Sequence, residues 1–207
     1  MVKRITFYLV GLAIACLGVC FLIHSKVGAG PWDVVNMGLT ERFGLTLGTW
    51  MGLWQAFFLL VNAVLLKRRP EFESIITITI WGLIIDFWMG IVLKNLDLTQ
   101  APLSVKCSVF SIGVLFIGMG VGIYLTADLP KMPYDGTMVA LSTKFNLSFT
   151  ITRTMLEGSA VVLSFFVGGS MGIGIGTIII FVVIGHIVQF FNKASWILYN
   201  KKISIFV

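Results

Sequence analysis

Charge is what this 207-residue chain has least of: 12% of its residues are Asp, Glu, Lys or Arg, about half the share usual in a soluble domain. So few charges cannot cover a water-facing surface. With 57% hydrophobic residues and a mean hydropathy of +0.98, the composition is that of an integral membrane protein. The scarcity is also patterned, because residues 5–25, 43–66, 107–127 and 158–192 contain no Asp, Glu, Lys or Arg at all. The first three runs approach the roughly 20 residues that span a hydrocarbon core, and the fourth can hold parts of two spans.

Other absences exclude whole classes of function. Cys16, Cys20 and Cys107 form no CxxC pattern, so they read as small packing residues and not as a disulfide or zinc framework. His24 and His186 have no metal-ligand company, and no metal site is expected. There is no Walker sequence, no Ser-His-Asp constellation, no HExxH and no cofactor motif, so neither an enzyme nor a bound cofactor is expected. The net charge of +6 points to anionic lipid at one membrane face. Nucleic-acid binding would need a basic soluble surface, and no soluble domain is present.

The apolar runs predict an all-α membrane protein with six long helices at about 5–24, 46–66, 74–93, 106–126, 149–167 and 173–192. Two shorter helices are expected at 31–43 and 133–145. Lys67, Arg68, Arg69 and Pro70 close one span; Asn95, Asp97, Thr99, Gln100 and Pro102 make a polar connection; Gly168, Gly169 and Gly172 mark a turn. Lys3 and Arg4 ahead of the first run resemble a secretory signal. The run lasts until Lys26 without a small-x-small exit, however, so a retained span is expected.

One stretch recurs 102 residues downstream. Residues 28–45 read GAGPWDVVNMGLTERFGL and residues 130–147 read PKMPYDGTMVALSTKFNL. Pro31 falls on Pro133, Trp32 on Tyr134, Asp33 on Asp135, Arg42 on Lys144 and Phe43 on Phe145. Upstream, Gly11 meets Gly113 and Gly18 meets Gly120; downstream, Gln55 meets Glu157. One inserted residue aligns Gly82, Asp86 and Phe87 with Gly185, Gln189 and Phe190. Two repeats follow, 1–98 and 103–207, within one membrane domain.

With a cytoplasmic N-terminus, six spans place ten basic residues inside (Lys3, Arg4, Lys67, Arg68, Arg69, Lys131, Lys144, Lys193, Lys201 and Lys202) and four outside (Lys26, Arg42, Lys94 and Lys106). That bias puts both termini in the cytoplasm. Three spans per half make the repeats inverted, with Asp33 and Asp135 approaching from opposite faces, the arrangement from which secondary transporters build midplane sites. If the short stretches instead crossed fully, each half would have four spans and the repeats would be parallel. About 13 residues reach only about 20 Å of a 30 Å core, which favours half-helices.

Each short helix opens on proline with an acidic residue two positions on, suited to the positive end of the helix dipole. Gly28 and Gly30 permit a sharp turn and close approach before Pro31. Asp33, Asn36 and Thr40 share one face of the first short helix, and Asp135 and Ser142 hold the matching places on the second. Gly30, Pro31, Asp33, Asn36, Gln55, Asp86, Pro133, Asp135, Glu157 and His186 are therefore the candidate solute-binding residues. Bland roles stand beside these. The aspartates can cap their own helices while Trp32 and Tyr134 anchor at the interface. Arg153 and Glu157, four apart, can pair, and His186 can bond a neighbouring helix in place of serving a proton relay. The GxxxG spacings at Gly48/Gly52, Gly118/Gly122 and Gly172/Gly176 suit close helix packing in a bundle or homodimer.

The glycine-rich first span, the GAGPWD stretch with its PYD echo and the six-span length resemble the YczE/YyaS/YitT-like group of multi-pass bacterial membrane proteins, over nearly the whole chain. The resemblance implies a bacterial plasma-membrane protein and supplies no substrate. Pro130, Lys131 and Met132 stand where the first copy has Gly28, Ala29 and Gly30, so the two half-sites differ. The expectation is a small-solute or ion transporter with its site between inverted repeats, in contact with the lipid bilayer and a small polar or ionic solute. The alternative is a non-transporting accessory protein that aids assembly, secretion or regulation of a membrane partner complex.

Overall fold

The computed structural model describes residues 1–147, 149–167 and 172–201, without the side chains of residues 149, 150, 200 and 201. Gly168, Gly169 and Lys202, named above for a turn and for the inner charge count, lie outside the described residues. The elements run α1 (Val2–Ser25), α2 (Pro31–Phe43), α3 (Leu47–Leu66), α4 (Ser74–Phe87) with a π-helical continuation Trp88–Val92, α5 (Leu103–Thr126), α6 (Pro133–Phe145), α7 (Phe149–Val167) and α8 (Ile175–Lys201). The described residues contain no strand.

Local chemistry sets several of these boundaries. Proline opens α2 and α6, where its missing N–H removes no intrahelical bond. Thr46 caps α3 by accepting a hydrogen bond from the Thr49 amide at 3.1 Å. Asn146 ends α6 in the left-handed conformation at φ 52°, which a short polar side chain tolerates. Among the described residues, five helices are long and apolar enough to cross a membrane: Val2–Ser25, Leu47–Leu66, Ser74–Val92, Leu103–Thr126 and Ile175–Tyr199. The sixth run expected to span, now α7, falls outside that group. Thr152, Arg153, Thr154, Glu157 and Ser159 dilute its apolar character.

The chain divides into two compact units, each drawing on both halves of the sequence repeat. The first comprises Met1–Gly30, Phe87–Leu129 and Gly172–Val207, and the second Pro31–Asp86 and Pro130–Met171.

In the first unit α1 and α5 pack antiparallel on a seam of glycines, Gly11 against Gly120 and Gly18 against Gly113. The two pairs interchange under the 102-residue register. A Cβ on Gly11 would stand 2.5 Å from the Tyr124 amide nitrogen, and one on Gly18 2.6 Å from that of Ile117, so only glycine lets these backbones touch. Leu12, Ala15, Cys16 and Cys20 are completely buried beside the seam. α8 joins the other side of α5, where Leu22, Phe110, Val114, Ile180 and Ile184 form a core and the Asn192 amide donates to the Gly122 carbonyl at 3.0 Å. Trp88 on the π-helical turn donates to the Ala13 carbonyl at 3.1 Å.

In the second unit each short helix packs on the long helix that follows the other: α2 on α7, and α6 on α3. α3 meets α4 where Gly48 lies against Gly82. Arg42, at the end of α2, donates to the Phe166 carbonyl at the end of α7 at 3.0 Å, satisfying an acceptor that the helix leaves open. Large apolar side chains cover the outward faces, among them Leu53, Phe57, Leu60, Ile76, Leu83, Val162 and Phe165. Such a surface is stable against acyl chains and not against water.

Candidate functional site

The two copies of the Pro-aromatic-Asp motif meet in the second unit. Trp32, second residue of α2, and Tyr134, second residue of α6, stand with ring centroids 6.1 Å apart. Both reach the same face of α3: Trp32 lies 4.9 Å from Trp54 and 5.0 Å from Phe58, and Phe58 lies 5.2 Å from Tyr134, all edge-to-face. This is the geometry that the ring quadrupoles prefer.

α3 also holds the N-terminus of α6. Gln55 Oε1 accepts from the Tyr134 amide at 3.0 Å, and Asn62 Nδ2 donates to the Pro133 carbonyl at 2.8 Å. The first satisfies one of the donors that a helix start leaves without an intrahelical partner. Gly136 faces Asn62 closely: a Cβ there would stand 2.9 Å from Nδ2, so a larger residue would push the Asn62 amide aside.

Charge enters from α6 and α7. The Tyr134 hydroxyl feels three ionisable side chains electrostatically, Glu157 most strongly, then Asp135 and Arg153. The Tyr134 hydroxyl is close enough to Glu157 to interact but does not close a hydrogen bond of normal geometry with it. Among the described residues, six buried side-chain atoms lack a hydrogen-bond partner, and five belong to the second unit: Trp32 Nε1, Asn36 Oδ1, Asn62 Oδ1, Tyr134 OH and Arg153 Nε. An unpartnered buried polar atom costs roughly 1–3 kcal/mol. Each such group calls for an explanation, with strain, a catalytic role and a bound water or ion among the candidates.

Of the residues singled out from sequence, Pro31, Asp33, Asn36, Gln55, Asp86, Pro133, Asp135 and Glu157 fall in the second unit, and Gly30 and His186 in the first. Asp86 is not at the aromatic cluster. Its carboxylate accepts from the Gly48 amide at 2.8 Å and from the Thr46 hydroxyl at 2.6 Å, capping α3 from the end of α4. His186 is exposed on α8, its Nδ1 3.3 Å from the Val182 carbonyl of its own helix. Arg153 and Glu157, though four apart, make no ion pair within 4.0 Å among the described residues. Trp54, Phe58 and Asn62 escaped the sequence reading, yet the signal was present: Trp54 and Phe58, and Gln55, Phe58 and Asn62, recur at helical spacing on α3.

A family model described as a family of unknown function, DUF6198, matches residues 2–193. The chain belongs to this family. It is 31% identical over 205 residues to the uncharacterized membrane protein YczE of Bacillus subtilis, covering 99% of this chain and 92% of that one. Identity to the uncharacterized protein YyaS of the same organism is 31% over 168 residues, 81% of this chain and 83% of YyaS. An uncharacterized protein of Haemophilus influenzae is 32% identical over 193 residues, 91% and 83% of the two chains. No solved structure matches. Family membership and five apolar helices of spanning length make this an integral membrane protein.

Proposed function

We propose that the protein is a small-solute or ion transporter of the bacterial plasma membrane, built as two inverted three-span repeats, and not an enzyme. In this reading α7 is the sixth span, both termini are cytoplasmic, and α2 and α6 are half-helices that enter from opposite faces. The solute path is lined by Asp33, Asp135, Gln55 and Glu157. The observation that carries the reading is the contact between Trp32 and Tyr134, repeat-equivalent residues at two helix starts, beside buried polar atoms that have no partner. Helix starts offer positive dipole ends and open N–H groups to a solute.

Two further features support it. The antiparallel α1–α5 seam, with its interchangeable glycine pairs, is what a two-fold axis in the membrane plane requires. Arg153 and Glu157 sit in a helix of otherwise spanning length, and ionisable groups at such depth face a partner or a watery path.

Asp33→Asn and Asp135→Asn, reconstituted singly in proteoliposomes, are expected to lose solute flux while eluting as the parent protein does in size-exclusion chromatography. Full flux in both variants overturns the path. Reproducible co-purification with another membrane component, with no flux, would favour the accessory role instead.

A further inference from the structure

We infer that the protein self-associates through the outward face of α8, as a parallel dimer in which the Gln189 amides of two copies, with His186 one turn before them, hydrogen-bond across the seam. The inference concerns the first unit alone and needs no solute.

α8 has two opposite faces. One is settled: Ile180 and Ile184 belong to the core shared with α5, and Asn192 donates to the Gly122 carbonyl at 3.0 Å. On the other, Ile179, Val182, His186, Gln189, Lys193 and Trp196 are all exposed. Their spacing alternates between three and four residues, so they line one stripe, of the kind along which two helices pack as a left-handed pair. What sets the stripe apart from a lipid-facing surface is its polar centre. His186 and Gln189 stand either side of Ile187, the midpoint of the span Ile175–Tyr199. Among the described residues the Gln189 side chain has no hydrogen bond, and His186 has one, from Nδ1 to the Val182 carbonyl of its own helix at 3.3 Å. Acyl chains offer such groups nothing, so a polar side chain at this depth faces another helix or a watery cavity.

The internal repeat points to a helix as the occupant of this face. Gly185 and Gln189 are the equivalents of Gly82 and Asp86 on α4. There the same surface carries a neighbouring helix: Gly48 of α3 lies against Gly82, and the Gly48 amide donates to Asp86 at 2.8 Å. On α8 both positions are exposed. The change of side chain selects the occupant. An ionised aspartate only accepts and needs a partner with spare donors, as the start of α3 supplies, whereas a glutamine amide both donates and accepts and so complements a copy of itself. Copies inserted in the same orientation are related by a two-fold axis along the membrane normal, which sets each residue at the depth of its counterpart. Gln189 therefore meets Gln189 of the second copy, with His186 Nε2 one turn away as a further partner for the amides. Lys193 lies nearer the end of the span, where its long stem carries the ammonium to the lipid headgroups and away from its twin.

The test is disulfide cross-linking of the full chain in native membranes, with Val182→Cys introduced after Cys16, Cys20 and Cys107 have been replaced by alanine. A disulfide needs Cβ atoms about 3.5–4.5 Å apart, which seam positions of a parallel pair reach. Leu60→Cys, at an exposed position of α3, is the control. Copper phenanthroline is expected to convert the Val182→Cys chain to a species of twice its mass and to leave the Leu60→Cys chain monomeric. Self-association is then measured in mild detergent by energy transfer between dyes attached to the exposed Cys107, Cys16 and Cys20 being buried. Gln189→Leu, which changes only an exposed side chain and leaves the α5 contact intact, is expected to raise the dissociation constant of the dimer about threefold to thirtyfold. Gln189→Asn keeps a donor and an acceptor and is expected to associate more tightly than the leucine variant. Absence of the Val182→Cys dimer, equal cross-linking of the control, an adduct with a different membrane protein in its place, or an unchanged dissociation constant in Gln189→Leu overturns the inference.

Discussion

Replacing Asp86 separates a structural carboxylate from a solute-binding one. Its two oxygens accept from the Gly48 amide at 2.8 Å and from the Thr46 hydroxyl at 2.6 Å, at the positive end of α3 and beside the close Gly48–Gly82 crossing. Asp86→Ala removes both acceptors and leaves the amide of a buried residue without a partner. Hydrogen bonds to an ionised group are worth about 1.5–3 kcal/mol each, and the Thr46–Thr49 hydroxyl contact survives to offset part of the loss, so the net cost is about 2–4 kcal/mol. For a chain of this length each kcal/mol moves Tm by roughly 2–4 °C, which gives a fall of about 4–16 °C. Asp86→Asn keeps one acceptor for the amide and loses only the charge, worth about 1 kcal/mol and roughly 2–4 °C. A thiol-reactive dye suits the measurement: in a Cys107→Ser background the buried Cys16 and Cys20 react only on unfolding. An Asp86→Ala protein with the parent's Tm, or an Asn variant as unstable as the Ala variant, refutes the capping role.

Other consequences are equally specific. Gln55→Leu removes the acceptor of the Tyr134 amide, and hydrogen exchange is expected to rise at the start of α6 with a loss of about 1 kcal/mol; unchanged protection there would contradict the contact. Gly120→Leu drives a side chain into the backbone of Ala15 and is expected to yield no monodisperse protein, because overpacking of this kind costs about 1–3 kcal/mol or more. Gly52→Ala, whose new methyl would meet only Ile78 at 3.6 Å, is expected to purify normally, and equal behaviour of the two variants would count against the seam. The Thr99 hydroxyl and amide hold the Asp97 carboxyl below its usual range, so the 97–99 turn is stabilised above about pH 3.8 and loosens as pH falls below that value. Exchange at the Thr99 amide should rise in acid in the parent and show no such step in Asp97→Asn.

What the sequence made legible was local or duplicated. Pro31 and Pro133 mark the starts of α2 and α6 because proline's fitness for a first turn is a property of one residue. Gly11, Gly18, Gly113 and Gly120 stood out by register, but that they face one another across an antiparallel seam is a tertiary fact. Asp86 shows the limit most clearly. Depth in an apolar run makes any carboxylate a functional candidate, and nothing in the sequence near position 86 reveals that residues 46–48 bring it two donors. At His186 the visible contact is with a carbonyl of its own helix, which needs no neighbouring element. The π-helical turn at Trp88–Val92 left no sequence signal, because it is held in part by a tryptophan reaching Ala13 on another helix. The aromatic cluster lay between, with α3 carrying its residues at helical spacing and only the fold bringing Trp32 and Tyr134 to them.

Inversion of the two halves is the claim on which the solute path depends, and side-specific labelling tests it most directly. Arg42 and Lys144 are repeat equivalents, both exposed near the ends of α2 and α6. Each is replaced by cysteine in turn, Arg42→Cys or Lys144→Cys, in a background with the three native cysteines removed. Intact cells are then treated with a membrane-impermeant maleimide. The account predicts that Arg42→Cys is labelled from outside and Lys144→Cys only after the membrane is opened; labelling of both from the same side would contradict it.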